Sequence, residues 1–175
     1  ELQSTLDSML DLAVRIVGAD AGKVELLIAG GEALQLKATY NLPQALLFDL
    51  LPMSESIITT HPGQQSIVIN ELAADPAVPP ARRQALLAGG VRSVLGVRLQ
   101  SHTGLLGSMV LYSLGSGKRF SSEDAAMLAL FADQAAVAIE HARLSEAARD
   151  QAAYLDAILQ NTHELVIVLN GEGIV

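Results

Sequence analysis

The sequence predicts an α+β fold: a central antiparallel sheet of five to six strands, helices on both faces and a long C-terminal helix. Three observations predict it. Two pairs of strand-like runs are each joined by a short turn, Gly30-Gly31 in one and Ser101-His102-Thr103-Gly104 in the other, which is the pattern of β-hairpins and so of an antiparallel sheet. Amphipathic helical stripes stand before, between and after these strands, and a sheet covered on both faces accommodates all of them. From residue 122 to about 159 there is no Gly and no Pro, and Ala recurs every second or third position, so nothing interrupts a helix. At ~1.5 Å per residue that helix is roughly 55 Å long, more than a domain of this size needs for its own core.

Each element has its own signal. Leu2, Leu6, Met9, Ala13, Ile16 and Val17 recur at three- and four-residue steps, an apolar stripe that Gly18 ends. Residues 23–28 and 34–40 read as strands. The second alternates strictly, which predicts one buried and one wet face, and Leu42-Pro43 ends it. Residues 44–61 read as short helical pieces broken at Pro52 and ended by His61-Pro62-Gly63. Residues 66–69 form a short strand. Pro76, Pro79 and Pro80 make 70–81 mostly loop, and residues 82–88 form a helix stopped by Gly89-Gly90. The second hairpin spans 93–99 and 105–112. Gly115-Ser116-Gly117 turns the chain into the long helix, for which Ser122 is the expected N-cap, with Glu123 and Asp124 complementing the helix dipole. At 154–159 a short helical string runs into an expected strand at 165–169 and a turn at 170–173.

Composition narrows the function. Half of the 175 residues are hydrophobic but only 3% are aromatic, so the core is aliphatic. The net charge of -8 opposes nucleic-acid binding, which needs clustered cations, and docking on anionic lipid. With no cysteine, disulfides, thiolate catalysis, zinc-thiolate sites, Fe–S clusters and thioether-tethered cofactors are excluded. The longest near-apolar run, 125–132, ends at Asp133, well short of the ~18 residues of a membrane span. A cytoplasmic setting without direct membrane contact is expected. Glu1 is not an initiator Met and Val175 stops inside an apolar run, so both ends read as cut points, and the expectation leaves room for targeting signals or an anchor outside this stretch.

No enzyme emerges. His61, His102, His141 and His163 share no helical pairing with another metal ligand, and no nucleophile stands with a plausible base, so neither a metal nor a catalytic site is expected. Gly115-Ser116-Gly117-Lys118 fails as a phosphate loop, because Tyr112 stands where the first glycine is needed and Arg119 where Ser or Thr is.

Several strings in order resemble a GAF domain: Asn70-Glu71 to Pro76 after a short strand; Gly90-Val91-Arg92-Ser93-Val94-Leu95-Gly96-Val97-Arg98-Leu99; Gly104-Leu105-Leu106-Gly107-Ser108-Met109-Val110-Leu111; Phe120-Ser121-Ser122-Glu123-Asp124; and the Ala-rich helix through Val137-Ala138-Ile139-Glu140-His141-Ala142. The resemblance covers residues 1–148. Residues 149–160 read as a helical linker, and 161–175, with the helical string before them, are similar to the start of a PAS domain. It implies a regulatory sensor of bacterial signal transduction, upstream of a PAS and output domain such as a histidine kinase or cyclic-dinucleotide enzyme, and itself non-catalytic. It also implies a pocket between the sheet and the irregular crossing segment. On this chain Tyr40, Phe48, Met53, Ile57, Ile69, Val97, Met109 and Leu111 would line it, with His61, Arg92 and Arg98 as polar anchors. The cofactor is unknown. Lys118, Phe120 and Asp124 match part of the cyclic-nucleotide motif of this family, but its Asn is missing and Ala125 replaces its Glu. Bilin attachment needs an absent Cys.

Leu130, Val137, Leu144, Gln151 and Ile158 fall at steps of seven, and Ala135, Ala138, Ala142 and Ala147 stand beside that line. Such a stripe predicts a parallel partner helix and hence a homodimer. The alternative is a ligand-free scaffold that dimerises and spaces its neighbours.

Overall fold

The computed structural model describes residues 2–171, with side chains through Gln160. One compact unit ends at Ile139 and a second begins at Glu140. The chain forms helix α1 (Leu2–Val17), strands β1 (Ala21–Leu27), β2 (Ala33–Tyr40), β3 (Leu50–Pro52) and β4 (Ser66–Ile69), helix α2 (Pro80–Ala88), strands β5 (Ser93–Ser101) and β6 (Gly104–Ser113), and helix α3 (Ser122–Gly171). The sheet has the order β3-β2-β1-β6-β5-β4, and every pairing is antiparallel. The expected α+β architecture is present.

Two apolar layers sandwich the sheet. On one face α1, through Leu6, Leu10, Ala13, Val14 and Val17, and α3, through Leu128, Ala132, Ala135, Ala136 and Ile139, pack on Val24, Leu26, Leu95, Val97, Leu99, Met109 and Leu111. On the other face Leu46, Ile57, Ile58 and Leu72 from the irregular segments and Leu86 from α2 cover Leu34, Ile67, Ile69, Val94, Val110 and Tyr112. Side chains alternate along a strand, so Val94 and Gly96 face the crossing-segment layer and Leu95 between them faces the helices α1 and α3. β1 lies in the middle and is buried on both faces.

The ends of the elements show why the chain turns where it does. Gly18 adopts φ 75°, and the amides of Gly18 and Ala19 both donate to the Val14 carbonyl at 2.9 and 3.0 Å, closing α1. Helix α2 starts two residues before the expected position, because Pro80 suits the first turn, where its missing N–H is not needed. The crossing segment contains three single 3-10 turns, at 44–46, 53–55 and 57–59, but residues 50–52 form an edge strand on Ala33–Gln35 instead of helix. Pro52 is tolerated there because an edge strand has one side that makes no ladder bonds.

The N-cap of α3 is Ser121, one residue before the expected Ser122. Its Oγ accepts from the Asp124 amide at 3.1 Å, while Asp124 Oδ2 accepts from the Ser121 amide at 2.8 Å, a reciprocal capping box. Lys118 Nζ pairs with Asp124 at 3.2 Å. Burial raises the Asp124 carboxyl, but the Ser121 amide, Lys118 and the Ser121 hydroxyl together hold it below its ordinary value. The start of α3 is also tied to the loop after β4. The Asn70 side-chain amide donates to the Phe120 carbonyl at 2.8 Å and accepts from the Phe120 amide at 2.8 Å.

Helix α3 runs without interruption to Gly171. By length and composition alone residues 122–160 would suffice to cross a membrane, yet Leu128, Ala132, Ala135, Ala136 and Ile139 bury their side of it in the domain core. The expected strand at 165–169 is helical backbone instead, as is the beginning of the expected turn at 170–173; its last two residues lie outside the described residues. A strand needs a neighbouring strand for its amides and carbonyls, whereas a helix satisfies them within itself. No strand pairs with this segment among the described residues.

Candidate ligand-binding site

The residues expected to line one pocket are divided between the two layers. Val97, Met109 and Leu111 are buried under α1 and α3, and Tyr40 packs against that same cluster. They face away from the crossing segment. The reason is strand parity: the positions of β5 and β6 that face the crossing segment are Val94, Gly96, Arg98, Ser108, Val110 and Tyr112, one residue off those expected. Ile57, Ile69 and Met53 do belong to the crossing-segment layer. Phe48 stands beside α2, its ring centroid 6.0 Å from Cζ of Arg82.

The expected polar anchors also separate. Arg98 Nη2 donates to the carbonyls of Ile58 and His61 at 2.6 and 3.2 Å, and Nη1 donates to the Gln64 carbonyl, so this guanidinium fastens the crossing segment to β5. His61 Nδ1 lies 2.7 Å from Thr60 Oγ1 at the end of that segment. Arg92 lines a different surface cleft of about 480 Å³, between the loop after β4, the end of α2 and the turn before α3, where Arg119 pairs with Glu71.

A buried polar cluster lies on the crossing-segment side of β1 and β6. Lys23 Nζ bonds Glu25 Oε1 within β1, both side chains being 2% exposed or less. Ser108 Oγ, opposite on β6, donates to Glu25 Oε2 at 3.3 Å. Arg82 of α2 is buried, with no hydrogen-bond partner for Nε or Nη2, and the hydroxyl of buried Tyr112 has none either. Burial pushes the Lys23 ammonium below its ordinary range; the Glu25 carboxylate opposes this and Arg82 adds to it. Burial pushes the Tyr112 hydroxyl well above its ordinary range, with Arg82 opposing and Glu25 reinforcing, so the hydroxyl keeps its proton and can donate. Lys23 therefore takes up the buried Glu25 carboxylate, while Arg82, near enough to weaken the Lys23 ammonium, has no acceptor for Nε or Nη2.

Sequence reasoning missed this cluster. Lys23-Val24-Glu25-Leu26 has the alternation of a half-wet strand, yet β1 is central and has no wet face. The available signal was topological: with both faces of a central strand covered by helices, a Lys-x-Glu on it must be buried and paired. Among the described residues no group of three or more His, Cys, Asp or Glu side chains could hold a metal ion.

A cleft of about 250 Å³ opens beside Arg82. Its walls are Phe48, Leu50, Leu51, Pro52, Ala81 and Ala85, with Glu55 also at its edge. Another, of about 330 Å³, lies at Met53, Ile58 and Leu105 beside Arg98, whose guanidinium is already engaged.

Among known families, residues 1–139 match that described as "GAF domain". No curated protein matches the chain. Solved structures do. The GAF domain from a phosphoenolpyruvate-protein phosphotransferase of Coxiella burnetii is 23% identical with a TM-score of 0.70, covering 84% of this chain and 87% of its own. The GAF domain/HD domain protein from Geobacter sulfurreducens is 15% identical with a TM-score of 0.69, covering 82% and 95%. The second GAF domain of DevS from Mycobacterium smegmatis is 19% identical with a TM-score of 0.64, covering 83% and 98%. At these identities the likeness shows the fold, an antiparallel six-stranded sheet between helices with a long C-terminal helix. GAF domains are regulatory modules of signalling proteins and are generally non-catalytic, and the family match over residues 1–139 shows that this chain belongs to the GAF family.

Proposed function

We propose that this GAF domain is a ligand-responsive regulatory module that dimerises through its terminal helices and relays a change in the crossing segment along α3 to the domain that follows. The single observation that carries the reading is an apolar line left uncovered on α3. Leu130, Val137 and Leu144 are 61%, 64% and 71% exposed, and Ile158 continues the seven-residue spacing at 43%. Leu12 and Ile16 add exposed apolar surface on α1. Covering a Leu, Ile or Val side chain contributes about 1.5–3 kcal/mol, so a second copy laid on this line gains from several such terms. The PAS-like string at 161–175 names a candidate receiver; the helical backbone at 161–171 stands against its expected first strand. The scaffold reading draws on the Lys118–Asp124 pair, which locks the turn before α3 and leaves the partial nucleotide motif with a structural task.

The test has two steps. Sedimentation of the chain is expected to give a dimer, and Val137→Glu/Leu144→Glu a monomer. A monomeric parent chain, or a dimer surviving both glutamates, overturns the assembly. Hydrogen exchange with and without a bound ligand then separates sensor from scaffold: protection changing in the crossing segment while residues 122–159 stay unaltered refutes the relay.

A further inference from the structure

Among the described residues, Arg82 carries an unmet demand for an acceptor. Its side chain is 2% exposed, and among the described residues no acceptor meets Nε or Nη2. An unpaired buried charge costs several kcal/mol, so the site is built around an anion from elsewhere or it is a standing defect. Of the carboxylates around it, Glu25 has both oxygens engaged by Lys23 and Ser108, and Glu55, at the edge of the cleft beside Arg82, bonds neither Nε nor Nη2. Nε and Nη2 form one edge of the guanidinium, the edge that grips two oxygens of a planar carboxylate side by side. The Tyr112 hydroxyl is buried beside Arg82, which lies near enough to influence its proton, and it is not among the residues that line the cleft.

The cleft beside Arg82 defines the rest of the ligand. Phe48, Leu50, Leu51 and Pro52 make its walls apolar, and at about 250 Å³ it is smaller than a typical site for a drug-sized molecule. Glu55 stands on the same cleft and disfavours a second negative charge. We infer that this cleft binds a small monocarboxylate with a short aliphatic or single-ring body, its carboxylate on the guanidinium of Arg82 and its body against Phe48 and Leu51. The inference rests on the ligand-binding half of the function proposed above and gives that ligand a chemical class.

The experiment titrates the whole chain, at constant pH and ionic strength, with benzoate, butanoate, benzamide and phenyl phosphate. Binding is read by calorimetry and by amide chemical shifts at 48–55 and 80–88. Benzoate or butanoate is expected to bind and to shift those amides. Benzamide, which lacks the charge, and phenyl phosphate, whose second negative charge meets Glu55, are expected to bind roughly tenfold more weakly or not at all. Arg82→Lys and Arg82→Gln are expected to lose the carboxylate response. Arg82→Met, without ligand, is expected to melt at or above the parent chain, because it replaces an unpaired buried charge by an apolar group of similar length. The inference is overturned if neither carboxylate binds, if benzamide or phenyl phosphate binds as well as benzoate, if Arg82→Gln binds normally, or if unliganded Arg82→Met melts well below the parent. The readout is binding and not assembly or exchange in α3. Failure here therefore leaves dimerisation and relay standing, and their failure leaves this site standing.

Discussion

The Lys23–Glu25 pair permits a double-mutant cycle whose order of effects is set by the structure. Lys23→Met removes the ammonium on Glu25 Oε1 and leaves the carboxylate with Ser108 Oγ at 3.3 Å as its one hydrogen bond. Breaking a buried pair by removing one partner costs about 3–5 kcal/mol. The positive field of Arg82, which already disfavours the Lys23 ammonium, still favours the Glu25 carboxylate in this variant, so the cost falls near about 3 kcal/mol. Glu25→Gln removes the one negative charge among Lys23, Glu25 and Arg82 and leaves two buried cations together, so the cost falls near about 5 kcal/mol. Lys23→Met/Glu25→Met removes both members but leaves Arg82 as a lone buried cation, so it is expected to cost clearly less than the two single changes added together. Against a total stability of about 5–15 kcal/mol these differences are large. At roughly 2–4 °C per kcal/mol, the melting points fall by roughly 6–12 °C for Lys23→Met and 10–20 °C for Glu25→Gln. Urea unfolding followed by circular dichroism, with the slope checked for constancy, measures all four proteins. Additive single effects in the double variant, or Lys23→Met costing more than Glu25→Gln, would refute the buried-charge argument.

Two further outcomes follow from local geometry. A Cβ on Gly107 would stand 2.1 Å from the Glu25 carbonyl oxygen, where β6 meets β1 at Leu26, so Gly107→Ala must part the two central strands and is expected to cost about 1–3 kcal/mol or more. Gly115→Ala, with nothing within 4 Å, is the control and is expected to leave the urea midpoint unchanged. Burial raises the Asp20 carboxyl, but bonds from the Ser116 hydroxyl and the Leu114 and Ser116 amides overcome this and hold it below 3.8. Its contribution to stability is therefore complete above pH 3.8 and is lost as pH falls through the lower folded value. The stability gap between the parent chain and Asp20→Asn is expected to narrow on acidification in urea melts; a gap that widens contradicts the assignment.

Local pattern and local chemistry made most of the scaffold readable. The α1 stripe, the two hairpins, β4 and the glycine stops depend on side chains within a few residues of one another, and they stand where periodicity places them. What depends on distant partners was less legible. Leu50-Leu51-Pro52 becomes a strand only because Ala33–Gln35 offers an edge to it. The N-cap fell on Ser121 because the capping box needs Asp124 three residues on, a choice that two adjacent serines leave ambiguous. In the candidate site the apolar residue types were right, but Val97, Met109 and Leu111 are one step out of phase, and a strand with apolar residues on both faces carries no mark of which layer each serves. Lys23, Glu25 and Arg82 stayed hidden because their burial is a property of the assembled sheet, not of the segments that carry them.

The Asn70 amide ties together segments fifty positions apart, matching the donor and the acceptor of one backbone unit at Phe120. Only Asn or Gln presents both roles on one planar end, and Gln is a methylene too long for the same reach. The loop leaving the sheet edge and the first turn of the exit rod are thus pinned as a single piece. A rearrangement that displaces the Ile67–Ile69 edge must either drag the rod's base along with it or tear two bonds at once.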